Sequence, residues 1–231
     1  MAILLLIDTS SENGSVALSQ NGELIAFRIC TDQKEQAGFL QPAIKELLEE
    51  KGITVATLSA VAVSIGPGSY TGLRVGLASA KGICYAANIP LITITTTYIM
   101  AVAGRNAFKN EYPDHRHYHL CPMIDARRME VYLAVYDENL QVIQEPSAFI
   151  LNAPEMISFG EDKPVYFFGS GAEKWKKINS AKNIFFGDVQ WDVRTIIEEA
   201  TRKFEAAEFD SLEKAAPLYV KPFFTNAYVK E

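Results

Sequence analysis

The chain opens on Ile3-Leu4-Leu5-Leu6-Ile7, a continuous apolar run of five residues. A run this short and unbroken reads as a strand buried on both faces. Asn13-Gly14 and Asn21-Gly22 are turn pairs whose residues tolerate positive φ. The alternating Val16-Ala17-Leu18 follows the first and the apolar-rich stretch 24–29 the second, so three strands form a meander within thirty residues. Leu40, Ile44, Leu47 and Leu48 recur at helical spacing and predict an amphipathic helix. Pro42 is expected to kink or restart it, and Gly52 to close it. Residues 60–65 predict another buried strand, Gly66-Pro67-Gly68 a sharp turn, and Ser69 the cap of a long helix reaching about Asn88. A fifth strand at 90–94, then a helix capped by Thr95 or Thr96 and running through Ala103, complete an α/β pattern around a mixed sheet.

The second half is patterned less cleanly. Residues 120–124 and 130–136 predict a hairpin joined by Asp125-Ala126-Arg127-Arg128, and residues 165–168 a strand ending at Gly169. A helix is expected from Trp191 to about Ala207, with Val193, Ile196, Ile197, Ala200 and Phe204 on one side. Pro217-Leu218-Tyr219-Val220-Lys221-Pro222 alternates apolar residues between prolines and reads as an extended segment packing back on the body. Gly104 and Pro113 bracket a polar stretch at 106–113 that serves as the expected boundary between lobes 1–110 and 111–231.

Composition narrows the class. A chain of 231 residues buries roughly 70% of its unfolded surface without metal or disulfide. With 48% hydrophobic and 22% charged residues it reads as globular rather than disordered. Net charge is −6 and uneven: residues 1–110 carry 8 basic and 8 acidic groups, residues 111–231 carry 14 and 20. That balance argues against a free-standing nucleic-acid binder, which presents a basic surface. Cys30, Cys84 and Cys121 are odd in number and form no CxxC, as expected of free thiols in a reducing compartment. The apolar start is too short for a membrane span and no basic stretch precedes it, so a cytoplasmic protein without membrane contact is expected.

The segment from Ser64 to Gly76 is the most informative. A strand turning through Gly66 and Gly68 into a helix capped by Ser69 presents free backbone N–H groups, which bind anions readily. No Lys stands where a Walker loop needs it, and Gly72 comes one residue late for GxGxxG. A tight structural turn is the competing reading. Gly72, Gly76 and Ala80 share one helix face, and each glycine costs about 1 kcal/mol of helix stability against Ala. Close packing on the chain's own sheet, or a helix–helix interface with a partner, would each offset that cost. His115, His117 and His119 would share one face of a strand, and the first and last satisfy HxxxH. A solvated strand entry competes with a metal site there, and no metal is assigned.

Four stretches together resemble one family: Ile7-Asp8-Thr9-Ser10, the glycine-rich Gly66–Gly76 segment, Ile124-Asp125-Ala126-Arg127-Arg128-Met129-Glu130-Val131-Tyr132, and Pro217-Leu218-Tyr219-Val220-Lys221. Their order and spacing are similar to the TsaB family, also called YeaZ, a non-catalytic paralogue of TsaD. The resemblance implies the two-lobed actin-like (ASKHA, ribonuclease H-like) fold with a reduced second lobe. It implies a scaffold that pairs with a TsaD-like catalytic subunit, supported by a TsaE-like ATPase. Their product is N6-threonylcarbamoyladenosine next to the anticodon of tRNAs reading A-starting codons. On this reading the chain needs no cofactor, leaves ATP or ADP to the interface of the complex, meets tRNA only through that complex, and forms a homodimer when alone.

The resemblance also directs attention to particular residues. Where TsaD carries metal ligands in an HxxxH, this chain has Thr95-Thr96-Thr97-Tyr98-Ile99-Met100. In phosphotransferases of the superfold the first hairpin holds an acidic residue and a glycine near the phosphates; here Asp8 is present and Ser10 replaces the glycine. Asp8, Thr9, Ser10, Gly66, Gly68 and Ser69 are the candidate anion or nucleotide contacts. Leu40, Ile44, Leu47, Gly72, Leu73, Gly76, Leu77 and Ala80 are the candidate partner face, on which Gly76→Arg is expected to abolish assembly and spare the monomer. Family members often carry a His-Ser pair ahead of the first helix, where this chain has Glu35-Gln36-Ala37. The competing functions are a small-molecule phosphotransferase, an M22-like metallopeptidase of the same superfold, and a stand-alone nucleotide-binding module.

Overall fold

The computed structural model of the chain describes residues 2–31, 36–151, 163–178 and 182–221. Glu35 and Pro222 lie outside the described residues, as do the side chains of Gln36 and Ala37. Strands β1 (Ile3–Asp8), β2 (Gly14–Gln20) and β3 (Glu23–Cys30) form the expected antiparallel meander, with Ile7 opposite Val16. Helix α1 (Gln36–Lys51) leads to β4 (Ala60–Ser64), which pairs parallel to β1. Helix α2 (Tyr70–Ala87) leads to β5 (Leu91–Ile94), parallel to β4, giving the order β3-β2-β1-β4-β5.

After α3 (Thr96–Glu111) the same plan is repeated. Strands β6 (His119–Asp125), β7 (Glu130–Asp137) and β8 (Val142–Ile150) make a second meander. Strand β9 (Val165–Phe168) adds in parallel to β6; after α4 (Ala172–Lys176), β10 (Ile184–Gly187) adds to β9. The order is β10-β9-β6-β7-β8, strand for strand the arrangement of the first sheet. Among the described residues, five-residue α4 stands where the first lobe has eighteen-residue α2. Finally a 3₁₀ turn (Val193–Ile196) runs into α5 (Ile197–Glu205).

Each sheet is covered on both faces, which is why its central strands are continuous apolar runs rather than alternating ones. In β1, Leu5 and Ile7 face α1 and α2, while Leu4 and Leu6 face Ile99, Val193, Ile196 and Ala200. Helix α3 begins against the first sheet through Ile99 and continues over the second through Met100, Ala101 and Phe108. The last helix, although it follows the second sheet in sequence, returns to cover the first.

Several elements differ from expectation for identifiable reasons. Helix α3 runs to Glu111 instead of Ala103, because Phe108 keeps a buried side in an otherwise polar stretch. Most of the stretch expected to be an inter-lobe loop is thus helical. The final helix starts at Ile197, after a 3₁₀ turn capped by Asp192, whose carboxylate accepts the Arg194 N–H at 2.9 Å. Helix α1 continues through Pro42, since both Pro42 and Gly38, whose carbonyl loses its donor, are exposed to water. The histidines do not share a strand: only His119 lies in β6.

The residues of the candidate partner face lie inside the chain. Leu40, Ile44, Leu47, Gly72, Leu73, Gly76, Leu77 and Ala80 are all buried within the chain, and the side chains of Leu40, Ile44, Leu47, Leu77 and Ala80 belong to the core over the first sheet. The glycines let α2 descend onto the β1–β2 turn. A Cβ at Gly72 would meet the Thr9 carbonyl oxygen, and one at Gly76 the Thr9 hydroxyl, both well inside the 3.0 Å that real Cβ contacts respect. Gly76→Arg therefore strikes the monomer's own core and does not isolate assembly. By contrast, Gly82 lies on the exposed side of the same helix, and a Cβ there would meet nothing within 4 Å.

The two sites separate in stability. Gly72→Ala is expected to lower unfolding free energy by about 1–3 kcal/mol in urea titrations, overpacking outweighing the gain in helix propensity. Gly82→Ala is expected to raise it by about 0.5–1 kcal/mol.

Candidate functional site

The site is built where the first strand leaves its sheet. Asp8 is 1% exposed and its Oδ1 accepts two hydrogen bonds, from the Ser64 hydroxyl at 2.6 Å and the Ser10 N–H at 2.9 Å. It ties the ends of β1 and β4 together and shapes the turn between β1 and β2. The Thr9 hydroxyl donates to the Gly72 carbonyl at 2.7 Å, and the Ser10 carbonyl accepts the Ser69 N–H at 2.7 Å. The start of α2 is thereby bolted to the hairpin.

Gly66 (φ +113°) occupies backbone space that L side chains rarely enter, and its carbonyl accepts the Thr96 N–H at 2.8 Å. Ser69 caps α2 as expected, accepting the Gly72 N–H at 3.2 Å.

A cleft of about 1070 Å³ lies between the two sheets. Of the candidate anion contacts, Ser10, Gly68 and Ser69 line it; Asp8, Thr9 and Gly66 lie behind, holding the wall. The opposite wall holds Asp125, Arg127 and Lys176, and Thr96 and Trp191 also line the cavity. The Asp125–Arg128 turn is exposed at its tip, with Asp125, Ala126 and Arg127 at the rim of the cleft. Arg127 and Arg128 adopt positive φ (69° and 50°), and Asp125 accepts the Arg127 N–H at 2.6 Å and Lys174 Nζ at 2.5 Å. Partial burial pushes the Asp125 carboxyl up, but Lys174 and the Arg127 N–H outweigh it and hold it below the usual carboxylate range. The sequence signal for this wall was the resemblance itself. For Thr96 and Trp191 there was none, since both were assigned only to helices.

The histidine run is distributed. His115 rests on the rings of Phe108, Tyr112 and Phe185, and His117 Nδ1 lies 2.8 Å from Glu138. Burial, aided by Lys163, lowers the His119 pKa. Among the described residues no three metal-capable side chains converge, and no described helix is long and apolar enough to cross a membrane.

Two surfaces flank the cleft's α2 side. The C-terminal segment crosses it: the Leu218 N–H donates to the Ile65 carbonyl at 2.7 Å, and Arg74 Nε donates to the Tyr219 hydroxyl at 2.8 Å. The Arg74 guanidinium also lies 3.8 Å over the Tyr70 ring, and Lys221 pairs with Glu130 of the second sheet. On the outward side of α2, Arg74, Ala78, Gly82 and Tyr85 form an exposed row, Tyr85 being 83% exposed. Helix α1 lies alongside, joined by a Gln41–Ser79 hydrogen bond of 2.7 Å.

Comparison with known proteins agrees with this architecture. Residues 33–222 match the family described as TsaD, tRNA N6-adenosine threonylcarbamoyltransferase. A Bacillus subtilis protein named tRNA threonylcarbamoyladenosine biosynthesis protein TsaB is 30% identical over 179 residues, covering 76% of this chain and 74% of that one. Its Escherichia coli namesake is 28% identical over 230 residues, 94% of each chain. A solved structure of YeaZ from Pseudomonas aeruginosa superimposes with a TM-score of 0.75 at 23% identity, over 95% of this chain and 100% of that one. A second, described as an uncharacterized protein with similarity to peptidase YeaZ from the same organism, gives 0.79 at 22% identity, over 96% and 100%. With its paired five-stranded sheets and these matches along most of its length, the chain belongs to the TsaB/YeaZ family and has that family's actin-like two-lobed fold.

Proposed function

We propose that this chain serves in the biosynthesis of N6-threonylcarbamoyladenosine in tRNA as a non-catalytic subunit. It holds a TsaD-like transferase in its active arrangement, with a TsaE-like ATPase supporting turnover, next to the anticodon of tRNAs that read A-starting codons. The names carried by the relatives support the pathway. The observation that carries the scaffold reading is the outer face of α2. Its inward small residues are consumed by the β1–β2 turn, yet the exposed side keeps a second small row at Ala78 and Gly82 beside Tyr85. An exposed mid-helix glycine costs about 1 kcal/mol against Ala, and no contact among the described residues offsets it. A partner helix approaching closely at Gly82, anchored by Tyr85 and Arg74, supplies that contact. Alone, the chain uses the same face for a homodimer.

The site chemistry fits this division of labour. Asp8, the carboxylate a phosphotransferase of this superfold would aim at its substrate, is committed to Ser64 and the Ser10 N–H. The acidic second half leaves tRNA contact to the partner. The chain itself needs no cofactor, ATP or ADP acting where the subunits meet, and it works in the cytoplasm. Among the described residues no three metal-capable side chains converge as a metallopeptidase would need.

Ala78→Arg and Gly82→Arg test the surface, because both positions are exposed and neither substitution enters the core. Ala78→Arg is expected to change monomer stability by no more than about 0.5 kcal/mol, and Gly82→Arg to raise it by about 0.5–1 kcal/mol, as Gly82→Ala does. Pairing with the TsaD-like protein, followed by analytical ultracentrifugation, is expected to weaken at least about tenfold, a loss of about 1.4 kcal/mol. Undiminished pairing in both variants contradicts the assignment of this face.

A further inference from the structure

The outward row of α2 begins at a side chain that is fixed before any partner arrives. Arg74 is exposed, yet two neighbours hold it. Its guanidinium lies 3.8 Å over the Tyr70 ring, and its Nε donates to the Tyr219 hydroxyl at 2.8 Å. The two tyrosine rings stand 5.7 Å apart between centroids, and the guanidinium is 5.8 Å from that of Tyr219. Tyr70 comes from the preceding turn of the same helix, four residues back. Tyr219 is delivered by the C-terminal segment, which is itself tied down. Lys81 Nζ donates to the Ala215 carbonyl at 3.0 Å, and the Leu218 N–H to the Ile65 carbonyl at 2.7 Å. A long, flexible side chain has thus given up much of its rotamer freedom inside its own chain.

What the cluster lacks is a counter-charge. Arg28, Arg194 and Arg202 each meet a carboxylate, at 2.7, 2.6 and 2.8 Å. Arg74 meets none within 4 Å among the described residues; its hydrogen-bond acceptor is a neutral hydroxyl. Stacking occupies one face of the guanidinium and Tyr219 takes Nε, so the Nη edge is the part not committed to an acid. That edge fits both oxygens of one carboxylate. The surroundings favour a protein over a polynucleotide as its source. The row continues through Ala78 and Gly82, small residues that admit a helix backbone closely and offer a phosphate chain nothing. Helix α1 alongside exposes Glu46, Glu49 and Glu50, which repel a polyanion.

The geometry points to Arg74 as a preorganised receptor for one Asp or Glu side chain on the partner's helix, with Tyr219 as the residue that positions it. This rests on the assignment of the outer α2 face to the TsaD-like subunit. Along α2, Arg74 lies one turn from Ala78 and two from Gly82, about 6 and 12 Å. The partner's carboxylate is expected at about the larger distance from the partner residue that packs on Gly82. Holding the fork in place beforehand removes an ordering cost from association. The C-terminal segment is on this account part of the interface, because it orients the charge that selects the partner.

The test measures pairing of the full chain with the TsaD-like protein by sedimentation. Arg74→Lys keeps the charge and removes the fork, and is expected to weaken pairing about tenfold. Tyr219→Phe keeps the ring and removes only the hydroxyl. It is expected to cost about threefold in wild type and nothing further beside Arg74→Lys, whereas a merely structural role makes the two losses multiply. In the chain alone, the Arg74 Nε–H is expected to give a slowly exchanging NMR signal that Tyr219→Phe abolishes. Pairing lost in Arg74→Glu is expected to return when one acidic residue of the partner is exchanged for Arg. Full affinity of Arg74→Lys while Ala78→Arg and Gly82→Arg disrupt pairing overturns the inference and leaves the face assigned. Full affinity in all three removes both. Multiplying losses, or no restoring exchange among the partner's Asp and Glu residues, also overturns it. So does an effect of Arg74→Lys confined to self-association or to tRNA binding.

Discussion

The close approach of α2 to the β1–β2 turn is the constraint on which the rest of the molecule depends. Gly68, Gly72 and Gly76 bring the helix so near that backbone atoms and a hydroxyl of Thr9 and Ser10 occupy the space of their missing side chains. The contact is sealed by Thr9 Oγ1 to the Gly72 carbonyl and the Ser69 N–H to the Ser10 carbonyl. Asp8 stiffens it from below by bonding Ser64 at the end of the neighbouring strand. Glycine's loss of helix stability, about 1 kcal/mol each, is offset here by packing that no larger residue permits.

Two surfaces follow from that one contact. The start of α2 is fixed at the floor of the cleft, with Ser10 and Thr96 at either end of its leading turn. The helix's opposite side is then held outward, presenting Arg74, Ala78, Gly82 and Tyr85. The C-terminal segment reinforces both, since Leu218 bonds the strand leaving the first sheet and Tyr219 holds Arg74. The acidic residue of the first hairpin is used for architecture, and the outward side of α2 is left exposed.

Much of this is legible in the residue pattern. The first sheet can be read because its strands are continuous apolar runs separated by Asn-Gly turns, and because Ser69 and Asn88 mark the ends of α2. The second sheet is half hidden. Strand β8 contains Pro146 and alternates irregularly through register shifts against β7, and β10 is only four residues long. The residue pattern leaves open which surface the small-residue side of α2 meets, because a row of small residues reads alike whether it meets its own sheet or a second protein. Only the position of Thr9 decides it. The cleft's far wall is under-read for a similar reason: nothing local in Asp125-Ala126-Arg127-Arg128 says that this exposed turn stands opposite the start of α2 across a cleft. Thr96 and Trp191 give no sign at all, since only tertiary packing brings them to the cleft.

The most direct test of the account is threonylcarbamoyladenosine formation in a reconstituted mixture of the cognate TsaD-like and TsaE-like proteins, the enzyme that makes the threonylcarbamoyl adenylate, ATP, threonine, bicarbonate and tRNA. The modified nucleoside is counted by mass spectrometry with and without this chain. Product only when the chain is present, and none from the chain without the TsaD-like protein, is the predicted result. Equal yield in its absence, or product made by the chain alone, would contradict a non-catalytic scaffold.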